Sequence, residues 1–271
     1  MLKYWSAGWK MTLWNPFLIG FFFLYQLAWG TFLYRFVRSI VVPLLHRYPG
    51  SEMPDELRFI FAAESQFQIM KTELVYPYLW TLAAVLIARM VLTPVLNAGI
   101  YDSIHQTHTD GKRSFVKGAK RWSLPFTALY LLQTLIMLAP LIWLVPYAQP
   151  GLAPLLSGEI EPRFAFVLIL YLLYAAVIKL LFMYIQFGIV TRTGWLAALK
   201  FMIRRFPAIA ALSASITGLY LFVAAAGITV SMIDAGLLAV LLHQVYHLVK
   251  VMFRLWEIST QHQYFMIKQP A

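Results

Sequence analysis

An all-α, polytopic membrane fold is predicted for this chain of 271 residues. It comprises six transmembrane helices arranged as three repeated helix pairs, with interfacial helices on the cytoplasmic side. Three observations predict it. First, 61% of the residues are hydrophobic and only 12% are charged, whereas a soluble domain carries about a quarter charged residues. Second, residues Met11–Tyr34, Ser123–Gly158 and Phe206–Ile233 contain no Asp, Glu, Lys or Arg. Roughly 20 apolar residues suffice to cross a hydrocarbon core. Third, a short basic, aromatic segment followed by proline recurs along the chain.

Hydropathy places spans at Pro16–Phe36, Leu74–Leu96, Pro125–Tyr147, Phe164–Gly188, Pro207–Met232 and Ala235–Trp256. Lipid offers the backbone no hydrogen-bond partner, so each span is helical. Residues 1–271 read as a single membrane domain. Lys3 and Lys10 precede the first apolar stretch, which is longer than a signal-peptide core and lacks a small-residue cleavage site, so it reads as a retained signal anchor.

Loop charge orients the spans. Asn97–Leu124 carries Lys112, Arg113, Lys117, Lys120 and Arg121 against Asp102 and Asp110. Ile189–Phe206 carries Arg192, Lys200, Arg204 and Arg205 and no acid. The opposite loops hold Glu159, Glu161 and Arg163, and a turn at Asp234. Positive loops remain inside, which puts both termini in the cytoplasm of a multi-pass cell-membrane protein. The external loop, 46–73, turns at Pro49-Gly50-Ser51. It then carries an amphipathic helix from Asp55 to Lys71, its apolar stripe running through Leu57, Ile60, Phe61, Phe67 and Met70.

The repeat begins each time with a basic aromatic segment. Tyr4–Lys10 leads to Pro16, Phe115–Trp122 to Pro125, and Trp195–Arg205 to Pro207. Proline suits a first helical turn, where its missing N–H would be unpaired. The segments within 100–124 and 191–206 are expected at the cytoplasmic interface. There Lys117, Lys120, Arg121, Lys200, Arg204 and Arg205 meet anionic headgroups. In the returning spans Arg89, Lys179 and Lys250 are each followed nine or ten residues later by a small residue: Gly99, Gly188 and Ser259.

This layout resembles bacterial six-helix membrane proteins that include the membrane domain attached to some glycerophosphodiester phosphodiesterases. The resemblance covers the repeated pattern of basic helix and span. It implies the architecture; the catalytic barrel of those enzymes has no counterpart here, so their activity is not implied.

Candidate sites carry competing readings. Arg89, Lys179 and Lys250 fall roughly 14 Å above the cytoplasmic boundary at 1.5 Å per residue. They either line an anion or lipid-phosphate site or extend their ammonium and guanidinium heads to the interface. His243 and His247 share a helix face four residues apart. They read either as ligand or proton-relay groups or as hydrogen-bonded interior residues. Asp102, His105 and His108, with Asp110, read as a metal cluster or, preferably, as a solvated linker turning at Asp110-Gly111.

With no cysteine, thiolate chemistry, disulfides and cysteine metal sites are excluded. No phosphate-binding glycine loop, His-Glu-x-x-His or Gly-x-Ser-x-Gly motif occurs. No catalytic residue, metal or cofactor is therefore expected, and the net charge of +11 points to anionic lipid rather than nucleic acid. The expected function is a non-enzymatic subunit or scaffold that presents basic interfacial helices to membrane lipids and to a protein partner, which can be a second copy of the chain. The alternative is a transporter or lipid-handling protein.

Overall fold

The computed structural model describes residues 2–47, 76–106, 111–156, 162–233 and 237–268. The external loop helix, Glu159, Glu161, Asp234, His108 and Asp110 lie outside the described residues, as does the side chain of His243.

The described residues form eight helices: α1 (Leu2–Leu13), α2 (Pro16–Arg47), α3 (Tyr76–His105), α4 (Gly111–Leu156), α5 (Pro162–Val190), α6 (Trp195–Arg204), α7 (Phe206–Ile233) and α8 (Leu237–Lys268). No strand occurs among them. Among the described residues, five stretches are long and apolar enough to cross a membrane: Pro16–Ser39, Tyr76–His105, Lys112–Leu144, Pro162–Val190 and Phe206–Gly227. Only 0–22% of each apolar window is buried within the protein, so these helices present side chains to lipid. Exposed Leu135, Ile142, Trp143, Phe166, Leu170 and Phe222 do so. The chain is thus a multi-pass helical membrane protein. The last helix, α8, is not among the five.

Backbone contacts divide the chain into two compact units, one of residues 1–21 and 94–271, the other of residues 22–93. In the smaller unit Phe36 packs edge-on against Tyr78. In the larger, α1 packs on α8, α8 on α7, α5 on α6 and α4 on α5.

The two shorter helices form where the basic aromatic segments predict them. In α1, Gly8, Met11 and Thr12 are buried while Lys3, Ser6, Lys10 and Leu13 are exposed, an amphipathic spacing. Asn15 separates α1 from α2. Its backbone carbonyl accepts from the Leu18 N–H at 3.0 Å, and its side-chain amide donates to the orphan Met11 carbonyl at 3.1 Å. In α6, Ala198, Phe201 and Met202 are buried, and Lys200 and Arg204 are exposed. Arg205 then separates α6 from α7, with Pro207 in the first turn.

The middle segment differs. Residues 111–122 are not a separate helix but the first three turns of α4, which passes Pro125 without a break. These turns cross α3 closely. A Cβ on Gly118 would lie 2.9 Å from Cγ of Asp102, and Trp122 Nε1 donates to Asp102 Oδ1 at 3.1 Å.

The small residues that follow the three cations all sit at helix crossings. A Cβ on Gly99 would meet the Phe115 carbonyl at 2.9 Å, and one on Gly188 would meet Ala198 Cβ at 2.7 Å. Ser259 lies against α1, accepting from Thr12 Oγ1 at 3.3 Å.

Candidate functional site

The polar chemistry of the larger unit is concentrated on α8. Every residue from Leu255 to His262 is at most 8% exposed. A helix buried on all faces normally reads as apolar throughout, yet Glu257, Ser259, Thr260, Gln261 and His262 all lie in this stretch. Buried polar groups require partners, and three neighbouring helices supply those of Glu257, Ser259 and Gln261.

Glu257 Oε2 accepts from Lys179 Nζ of α5 at 2.7 Å. Glu257 Oε1 accepts from Ser213 Oγ of α7 at 2.6 Å. One turn on, Gln261 Oε1 accepts from Tyr184 OH at 2.7 Å, and Gln261 Nε2 donates to the Ile209 carbonyl at 3.1 Å. On the α1 side, Trp256 Nε1 donates to the Trp5 carbonyl at 3.0 Å. Upstream, Arg254 Nη2 donates to Asn97 Oδ1 of α3 at 2.7 Å. The α8 segment therefore acts as a polar pin through the centre of the bundle end. Around it, Tyr184, Phe187, Phe201 and Phe265 form a ring cluster with centroid spacings of 5.3–6.1 Å.

His262 stands apart. Its ring lies 5.6 Å from that of His105 and 5.4 Å from that of Phe187. Neither of its nitrogens has a hydrogen-bond partner among the described residues. Burial, followed by the neighbouring His105, pushes its pKa from 6.5 down to about 3. The native state thus holds a neutral imidazole where the unfolded chain takes up a proton near 6.5. Stability is therefore full above about pH 6.5 and is lost as pH falls toward 3, by at most ~1.4 kcal/mol per pH unit for this one proton. The detergent-solubilised protein should melt several degrees lower at pH 5 than at pH 7.5, and His262→Phe should flatten that dependence. An unchanged slope in the variant would assign the acid sensitivity elsewhere.

The residues singled out in the sequence take several positions. Lys179 is joined to Glu257 of α8 at 2.7 Å. Lys250 is exposed on α8. Arg89 is exposed on the part of α3 in the smaller unit, and its carbonyl accepts from Thr93 Oγ1 at 2.6 Å. His247 is half-buried, 6.1 Å from the ring of its neighbour Tyr246. Lys117, Lys120, Arg121, Lys200, Arg204 and Arg205 are all exposed, with the Arg121 guanidinium 4.9 Å from the Trp122 ring centre.

The stretch at Asp102 and His105 is not a solvated linker. Asp102 is 4% exposed and accepts from Gln106 Nε2 at 2.9 Å as well as from Trp122. Burial follows because glycine at 118 lets α4 lie directly over it. Sequence reasoning also missed Glu257. The signal was present, since Glu257 is the single acid of the segment Leu237–Lys268 and lies seven residues past Lys250.

No group of three or more metal-ligating side chains occurs among the described residues. The polar atoms of the site mostly bind one another. No family model, curated protein or solved structure matches the chain.

Proposed function

We propose that this protein is a non-enzymatic membrane subunit or scaffold, which presents basic interfacial segments to anionic lipid and to a protein partner or second copy. One observation carries the reading. The buried polar side chains of α8 bind α1, α5 and α7 to one another, whereas Lys117, Lys120, Arg121, Lys200, Arg204 and Arg205 face outward. Polar groups engaged internally rigidify a core, and exposed cations beside aromatic rings suit a headgroup layer.

In this reading α8 supplies the sixth span, and the chain consists of three out-and-back pairs in the inner membrane leaflet's frame. The crossings support the repeat. Gly99 meets the second basic segment, Gly188 meets the third, and Ser259 meets the first, so the contact closes in a ring. A transporter built on Arg89, Lys179 and Lys250 is the competing reading. It loses support because Lys179 already has a carboxylate.

Orientation is tested by single cysteines at positions 111, 157 and 193 in this cysteine-free chain. On intact cells an impermeant thiol reagent should label Ser157→Cys but not Gly111→Cys or Thr193→Cys. Labelling at 111 would invert the topology. The function is tested by cross-linking in native membranes followed by affinity purification. A partner protein or second copy should be recovered in stoichiometric amount. Recovery of the monomer alone, together with ion or solute flux in proteoliposomes, would replace the scaffold with a transporter.

A further inference from the structure

We propose that the groove between α1, α7 and α8 is a binding site for one anionic phospholipid, its phosphate held at Lys3 and its acyl chain against Leu219 and Phe253. The inference rests on the scaffold's membrane setting but names a site and a ligand class which that reading does not require.

The groove is lined by Lys3, Trp5, Ser6, Trp9, Leu219, Phe253 and Trp256 and is open along one side, with a volume of about 710 Å³, within the ~300–1,000 Å³ of ordinary ligand sites. Its walls are aromatic and aliphatic. Trp256 packs edge-on against Trp9 at 5.0 Å and against Trp5 at 5.8 Å, and Phe253 lies 5.5 Å from Trp256. Leu219 is exposed and continues into the lipid-facing stretch of Leu221, Phe222 and Val223, which gives an acyl chain an apolar path.

The polar groups at the α1 end all favour an anion. Lys3 is exposed there, and no acid lines the groove. The indole Nε1 of Trp5 is buried and has no acceptor among the described residues, although its own backbone carbonyl is taken by Trp256. That N–H is enclosed by the protein, so an anion in the groove meets Lys3. Tryptophan at headgroup depth with a neighbouring lysine is also the arrangement that membrane interfaces select. A quaternary ammonium is the wrong ligand. The tryptophan rings cover one another edge to face, and Lys3 would repel it.

The test is native mass spectrometry of the protein from nanodiscs of phosphatidylglycerol or phosphatidylcholine, comparing lipids retained by wild type, Lys3→Gln, Trp5→Phe and Leu219→Trp. Wild type should retain one phosphatidylglycerol in preference to phosphatidylcholine. Lys3→Gln should weaken that retention about fivefold, as expected for one lysine at an anionic surface. Trp5→Phe, which replaces the indole by a smaller ring and so removes part of the groove wall, should also weaken it, and Leu219→Trp should block it by filling the apolar end. Equal retention of the two lipids, or no change in Lys3→Gln and Leu219→Trp, would overturn the site. Lys3 and Leu219 are exposed, so neither substitution disturbs the core. Partner recovery measured on the same variants reads the scaffold separately: a lost lipid with an intact partner separates the two.

Discussion

Gly8→Val should release α1 from the bundle. A Cβ at position 8 would lie 2.8 Å from both the backbone N and the Cα of Thr260, besides meeting its hydroxyl. Backbone cannot rotate away as a flexible side chain can, so the two helices must separate. Overpacking of this kind costs ~1–3 kcal/mol. The loss grows here, because separation also breaks the Thr12–Ser259 and Trp256–Trp5 hydrogen bonds and exposes Met11. Limited proteolysis in detergent should cut residues 2–13 rapidly in the variant and slowly in wild type, with a fall in melting temperature. Equal proteolysis would mean that α1 is not clamped at this crossing.

Glu257→Leu is expected to be the most damaging single change on α8. It leaves Lys179 Nζ and Ser213 Oγ without their shared acceptor. Removing one partner of a buried pair costs ~3–5 kcal/mol. Lys179 keeps 54% of its side chain exposed and can reorient, so ~2 kcal/mol is the better figure. Lys179→Met alone should cost at least as much, since it leaves the buried carboxylate of Glu257 with only the Ser213 hydroxyl to compensate it. The double variant Lys179→Met with Glu257→Leu should be more stable than the sum of the two losses, because no unpaired ammonium remains. Additive losses would show that the two side chains are not energetically coupled.

The membrane class was legible because charge-free apolar runs have few other uses, and all five of the span-length apolar helices overlap spans read from hydropathy. The separate helices α1 and α6 were legible from their basic amphipathic spacing. The continuity of α4 was not. Proline at 125 has the same local pattern as Pro16 and Pro207, and the Gly118–Asp102 crossing has its counterpart in the Gly8–Thr260 crossing of α1, which a helix break nevertheless follows. The polar pin was equally hidden. The run Glu257-Ile258-Ser259-Thr260-Gln261-His262 reads locally as a solvated tail after a span. It is buried because α1, from the opposite end of the chain, closes over it. Contacts at that separation leave no periodic trace. A lone acid such as Glu257, set between a basic stretch and a polar run, is the one local sign that a cationic partner waits elsewhere.

Hydrogen–deuterium exchange in nanodiscs tests most directly whether the bundle end is a closed structural core or an open site. If it is a core, backbone amides of residues 255–265 should be strongly protected together with those of α1. That protection should not change when a proton or sodium gradient is imposed across reconstituted vesicles. Rapid exchange of the stretch Glu257–His262, or exchange there that responds to the gradient, would mean that the polar groups open to solvent during a working cycle, and the scaffold reading would be wrong.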